Sequence, residues 1–171
     1  IRDRDNVTAG AAGDVPIMVE QLITKRVDDA VFGGIKDREA VETCRKAGVG
    51  ETLRLEIGGK LDQVYGYPLE VRGRVLNLTE NGVVFRVNGV DIILTENIPS
   101  FTSPEDFMEF GIDPTKRRVV VVKLGYLFSD LKKIAAKAVM ALTPGFTDLA
   151  IERLEYKNLP RPMFPIDKDF E

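Results

Sequence analysis

The run Asp5-Asn6-Val7-Thr8-Ala9-Gly10-Ala11-Ala12-Gly13-Asp14 has the residue types and spacing for chemistry. Small residues let a backbone approach a partner closely, and Gly10 and Gly13 can take positive φ without strain. The run leads straight into an apolar-periodic segment, Val15 to Ile23. Asp14 is therefore expected as the N-cap of a helix, with Pro16 in the first turn where its missing N–H is not needed. A loop entering a helix N-terminus presents unpaired N–H groups and a partial positive charge, which suits a carboxylate or a phosphate. An ordinary loop ahead of a capped helix is the alternative. The spacing matches neither G-x-G-x-x-G nor G-x-x-x-x-G-K-[ST], so a nucleotide is not indicated.

Histidine is absent from all 171 residues. It is the commonest ligand of catalytic zinc and the commonest general base near neutral pH, so a Ser-His or Cys-His couple and a His-based metal site are excluded within this chain. A carboxylate-only Mg or Ca site stays open, but no D-x-D-x-D-G loop announces one. No metal or other cofactor is therefore expected here. The lone cysteine, Cys44, lies in a helical pattern and reads as a buried thiol; it excludes an internal disulfide, so a reducing, cytoplasmic compartment is expected. Net charge of −3 argues against a nucleic-acid partner. No run approaches ~18 apolar residues and no signal peptide is visible, so no membrane partner is expected. The chain opens on Ile1 rather than Met, as a cut from a longer protein would.

Stepping along the chain, Met18, Val19, Leu22 and Ile23 share one face of a helix over about Val15 to Arg26. Ala30 to Ile35 reads as a strand covered on both faces, and Asp37 caps a helix that Gly48 ends. Thr52–Ile57, Leu69–Leu78, Val83–Val87 and Val90–Leu94 alternate or sit between tight turns at Asn81-Gly82 and Asn88-Gly89, the pattern of an antiparallel meander, curled into a small barrel-like sheet in one reading. Arg54, Glu56, Glu70, Arg72 and Arg74 form its solvated face. Thr102-Ser103-Pro104 starts a short helix. Arg118 to Lys123 is the strongest strand signal and is expected at the centre of a sheet; a helix over Asp130 to Lys137 and a strand over Ala138 to Leu142 follow. The fold class is α/β (mixed α+β): a mixed sheet flanked by helices with an antiparallel β-meander. One domain over 1–171 is expected, helix-rich at 14–48, meander at 51–96, strand, helix and strand at 103–143 and an extended tail at 144–171.

The landmarks then fall in a specific order. Asp5-Asn6, Gly10, Gly13-Asp14, Val31-Phe32-Gly33, Asp37 with Glu39-Ala40-Val41, Ala47-Gly48-Val49-Gly50, Gly58-Gly59-Lys60 with Asp62, and Gly66 with Pro68-Leu69 are followed by Gly89-Val90-Asp91 and Gly111-Ile112-Asp113-Pro114. Val120-Val121-Val122-Lys123, Thr143-Pro144-Gly145 and Arg161-Pro162 with Pro165 and Asp167 complete them. Over essentially its whole length the chain resembles the C-terminal domain of the MlrC family, named for a microcystin-degradation protein and classed as candidate zinc metallopeptidases.

The resemblance implies a two-domain parent whose N-terminal domain supplies histidine and carboxylate zinc ligands, so that domain and a small or linearised peptide substrate are the expected partners. Metal-activated water would attack an amide carbonyl in such a parent. This chain would complete the cleft, with Asp5, Asn6, Gly10, Gly13, Asp14, Lys123 and Arg161 as substrate-binding residues; for Lys123 a solvated charge is the alternative to a substrate-carboxylate clamp. Two positions depart from the family pattern: Leu127 stands before Phe128 where a histidine is common, and Leu142 before Thr143 where an acid is usual. Where the family position touches substrate, either change would alter substrate preference or abolish activity. A non-catalytic homo-oligomeric module, with Phe101, Phe107 and the Pro160–Pro165 tail as its interface, is the second reading. An oligonucleotide-binding barrel is disfavoured because aromatic and basic residues are not interleaved in the meander.

Overall fold

The computed structural model describes residues 1–147 and 154–167. Its centre is one open six-stranded sheet in the order β2-β3-β4-β5-β1-β6. The strands are β1 (Ala30–Lys36), β2 (Thr52–Ile57), β3 (Leu69–Thr79), β4 (Gly82–Val87), β5 (Val90–Thr95) and β6 (Val119–Val122). β2 to β5 form the antiparallel meander, and β1 inserts parallel to β5 and to β6. The meander is thus half of a continuous mixed sheet and not a separate barrel.

Period-two alternation explains why the sheet is covered on both faces. Phe32, Phe85, Ile92 and Leu94 point to the side packed by α1 (Ile17–Thr24) and α2 (Arg38–Ala47), with Val19, Leu22, Val41 and Cys44. Val31, Val84, Ile93 and Val122 point to the other side, under α3 (Pro104–Met108) and α4 (Ser129–Ile134), with Phe101, Phe107, Phe110 and Leu131. Phe101 and Phe107 are therefore core residues at 4% and 0% exposure, not the interface expected of them. β2 and β3 bury only Leu55, Ile57, Val71 and Val75 deeply toward the first side, and Arg54, Glu56, Glu70, Arg72 and Arg74 are solvated as expected.

Four local expectations are corrected. Asp14 does not cap α1: Pro16 takes the N-cap, with its carbonyl accepting from Glu20 N, and the Asp14 carboxylate is used elsewhere. β6 is the last strand of the sheet rather than a central one, and its run of valines is covered by the N-terminal residues, which bond alongside it through Asp3 N to Val122 O at 2.8 Å. The strand expected over Ala138 to Leu142 contracts to a single bridge at Met140, because Arg2 is the residue it pairs with, and α4 stops at Ile134 instead of Lys137. Among the described residues no helix is long and apolar enough to cross a membrane.

Candidate functional site

The glycine loop is tied from beneath by its own carboxylates. Residues Asp3 to Val7 pass beside the end of β6 with a bend at Arg4 and Asp5, Asp3 N donating to Val122 O and Val7 N to Lys123 O, and the Asp3 and Asp5 carboxylates both reach Lys123 Nζ. Asp5 Oδ1 accepts from Gly13 N at 3.1 Å and Asp5 Oδ2 from Val15 N at 2.9 Å. Those N–H groups are the ones an incoming anion was expected to use; here Asp5 takes them. Asn6 Oδ1 accepts from Thr8 N at 3.1 Å and from its hydroxyl, which starts a 3₁₀ turn over Val7–Ala9 that Gly10 closes at φ 91°. Thr8, Ala9 and Gly10 form the exposed crest of the loop. Their carbonyl oxygens accept no hydrogen bond from the described residues.

Lys123 anchors the base. Its Nζ donates to Asp5 Oδ2 at 2.8 Å and to the Val15 carbonyl at 2.8 Å, lies 3.5 Å from Asp3 Oδ2, and sits 5.1 Å from the Phe32 ring centroid. Three acceptors match its three N–H donors, and the residue is 2% exposed. Thr143 donates to Asp3 Oδ1, and the Thr147 hydroxyl donates to Arg4 O at 2.7 Å, so the Thr143-Pro144-Gly145 turn clasps the N-terminal residues from the far side.

Asp14 joins the loop to the segment after β2. Its Oδ2 accepts from Leu61 N at 2.6 Å, Oδ1 from Asp62 N at 3.2 Å, and its carbonyl from Gly59 N at 2.8 Å. Gly58 is required there: its φ is +63°, and a Cβ would lie 2.2 Å from Asp14 O. Asp37, the N-cap of α2, steadies the same segment by accepting from Ala40 N at 3.1 Å, Gly58 N at 2.9 Å and Lys60 Nζ at 3.1 Å. Lys60 also pairs with Glu39, whose carboxyl is held below its usual range first by that hydrogen bond and then by the ammonium charge.

Four separated motifs therefore meet: the glycine loop, Gly58 to Asp62, Lys123, and Thr143 to Gly145. Arg161 does not join them; it pairs with Asp167 inside the tail. Sequence reasoning missed Asp3, Asp37 and Lys60. The i, i+2 acid pair of Asp3 and Asp5 was the available signal for the first. Of the two departures, Leu142 is 56% exposed, while Leu127 packs partly buried against the second core. Among the described residues no group of three or more Cys, Asp or Glu is arranged to hold a metal ion.

Residues 3–158 match the family model described as MlrC C-terminus. Microcystinase C from Sphingomonas sp is 31% identical over 133 residues, which covers 70% of this chain and 26% of that protein. The crystal structure of a candidate metallopeptidase from Mesorhizobium sp. BNC1 superposes with a TM-score of 0.76 at 22% identity, covering 99% of this chain and 38% of that one. At that identity the likeness establishes the fold. The chain spans well under half the length of either protein.

Proposed function

The chain belongs to the MlrC C-terminal domain family, and from that premise we propose that it is the substrate-recognising, cleft-completing part of a zinc-dependent peptidase acting on small or linearised peptides. The observation that carries the reading is the meeting of four family motifs beneath one exposed crest, Thr8 to Gly10. The crest's carbonyl oxygens, which accept no hydrogen bond from the described residues, are acceptors for the N–H groups of an extended peptide. In this reading Asn6 and Gly10 shape the crest, and Asp5, Gly13, Asp14 and Lys123 hold it in place from below. Arg161, paired with Asp167, lies apart from this set on the tail.

Zinc, which the family implies, does not fit this chain. Histidine is absent, and the acid pair at the site, Asp3 and Asp5, is already matched by Lys123. The metal ligands are accordingly proposed in the N-terminal portion of a longer protein, and this chain supplies shape and hydrogen-bond acceptors. The test is hydrolysis of a panel of short peptides by the longer protein, with and without chelator, beside this chain alone. Chelator-sensitive cleavage by the longer protein and none by the chain is expected; cleavage by the chain alone would overturn the division of labour.

A second reading, an assembly module, is favoured by one observation. Tyr126, Leu142, Phe146 and Phe164, all later in the chain than β6, are 61%, 56%, 59% and 77% exposed. Sedimentation over a concentration series separates the readings: a dimer that Phe164→Ser abolishes, with peptide cleavage by the longer protein absent, selects this one.

A further inference from the structure

A cavity of about 350 Å³ opens between β6, the N-terminal residues and α4, with none of Asp5 to Asp14 among its lining residues. Its size falls at the lower end of small-ligand sites. Val120, Leu127, Leu131 and Ile134 supply apolar walls, and Arg2, Arg117, Arg118 and Lys137 supply cations. No aspartate or glutamate is among the residues lining it, in a chain whose net charge is −3.

The cations are not equivalent. Arg117 is committed to Asp29 and Asp91. Arg2 donates through Nη1 to the Gly125 carbonyl at 3.1 Å, but its Nε is buried and has no acceptor among the described residues. A buried donor without a partner is costly, and an anion would satisfy it. The Arg118 guanidinium and the Lys137 ammonium are exposed and lack partners among the described residues. Apolar walls with three cationic side chains that pair with no acid among the described residues match one ligand chemistry.

We propose that this cavity binds a small amphipathic carboxylate, its apolar body against Leu127 and Leu131 and its carboxylate at Arg2 and Arg118. Such a group is found in a medium-chain fatty acid and in the C-terminal residue of an apolar peptide. The proposal does not rest on the peptidase reading, and it concerns a cavity that no residue of the glycine loop lines.

Calorimetric titration of this chain with octanoate, octanamide, N-acetyl-Leu-Phe and N-acetyl-Leu-Phe-amide tests it. Saturable binding of a carboxylate is expected, with its amide at least about tenfold weaker, since a hydrogen bond to a charged group is worth more than a neutral one. Octanoate bound more tightly than the acetylated dipeptide identifies a fatty acid as the source; the reverse order identifies a peptide C-terminus. Arg118→Glu and the cavity-filling Ala136→Trp, both at exposed rim positions, are each expected to weaken binding about tenfold or more while the melting temperature stays unchanged. No saturable binding at millimolar ligand, equal binding of acid and amide, or undiminished binding to both variants would each overturn the proposal.

Discussion

Lys123 Nζ lies 2.8 Å from Asp5 Oδ2, and neither side chain is more than 1% exposed. The pair joins the end of β6 to the loop that precedes α1, positions 118 residues apart in the chain. Burying both charges is tolerable because Gly13 N, Val15 N and the Val15 carbonyl complete their hydrogen bonds.

Lys123→Met leaves two buried carboxylates without their counter-charge, and a loss of about 3–5 kcal/mol is expected. Adding Asp5→Asn should return part of that loss, since the unmatched charge is removed with its partner. Urea unfolding of the two single variants and the double variant measures it. A Lys123→Met midpoint equal to that of the parent chain would refute the anchoring role.

Asp14→Ala strips acceptors from Leu61 N and Asp62 N, at an expected cost of about 1–3 kcal/mol. The segment after β2 should then loosen locally and become a site of limited proteolysis. Gly58→Ala, whose Cβ meets the Asp14 carbonyl, should produce the same cut. Intact digestion patterns in both variants would count against the coupling.

Asp91 accepts from Arg86 at 2.6 and 2.8 Å and from Arg117 at 2.7 Å, with its own side chain 2% exposed. Asp91→Asn is expected to cost about 1–3 kcal/mol. Glu70→Ala, which removes an exposed pair with Arg54 at 3.9 Å, should change stability by less than about 0.5 kcal/mol. Parallel thermal melts separate the two.

Burial, and secondarily the Asp37 charge, push the Cys44 thiol up to about 11. The native chain should resist a thiol reagent at pH 8 and react fully once unfolded in urea. The sign for stability follows: between pH 9.0 and about 11 the unfolded thiol has released its proton while the native one holds it, so this group's effect is a fall in stability across that interval. Rapid native-state labelling at pH 8 would show that the thiol is not sealed.

In the longer peptidase proposed above, Gly10→Val is expected to raise KM more than it lowers kcat, because the crest is proposed to bind rather than react. Arg161→Ala should leave both within about twofold, since its exposed side chain pairs with Asp167 within the tail. A kcat loss without a KM change in Gly10→Val would place the crest in the chemical step.

Local pattern reached far into this fold. Alternation in Thr52–Ile57 and Leu69–Thr79, the tight turns at Asn81-Gly82 and Asn88-Gly89, and the Asp37 cap all express short-range sterics and hydrogen bonding, and these elements formed where expected. The four valines of β6 signalled a strand but not its place at the end of the sheet. Strand order depends on partners far away in sequence, here β1 on one side and the N-terminal residues on the other. The strand expected at Ala138 to Leu142 dwindled to one bridge for the same reason.

The site divides along the same line. Residue types and spacing marked Asp5, Gly13 and Asp14 as special and excluded histidine chemistry, and the order of motifs tied the chain to its family, which in turn singled out Lys123. Only the folded chain could show that Asp5 occupies the N–H groups an anion was expected to fill, that Asp14 holds a distant loop instead of capping α1, and that Lys123 is a buried anchor. Whether a carboxylate meets solvent or another part of its own chain depends on which segments the sheet brings alongside it, and contacts across more than a hundred residues leave no periodic trace in the sequence.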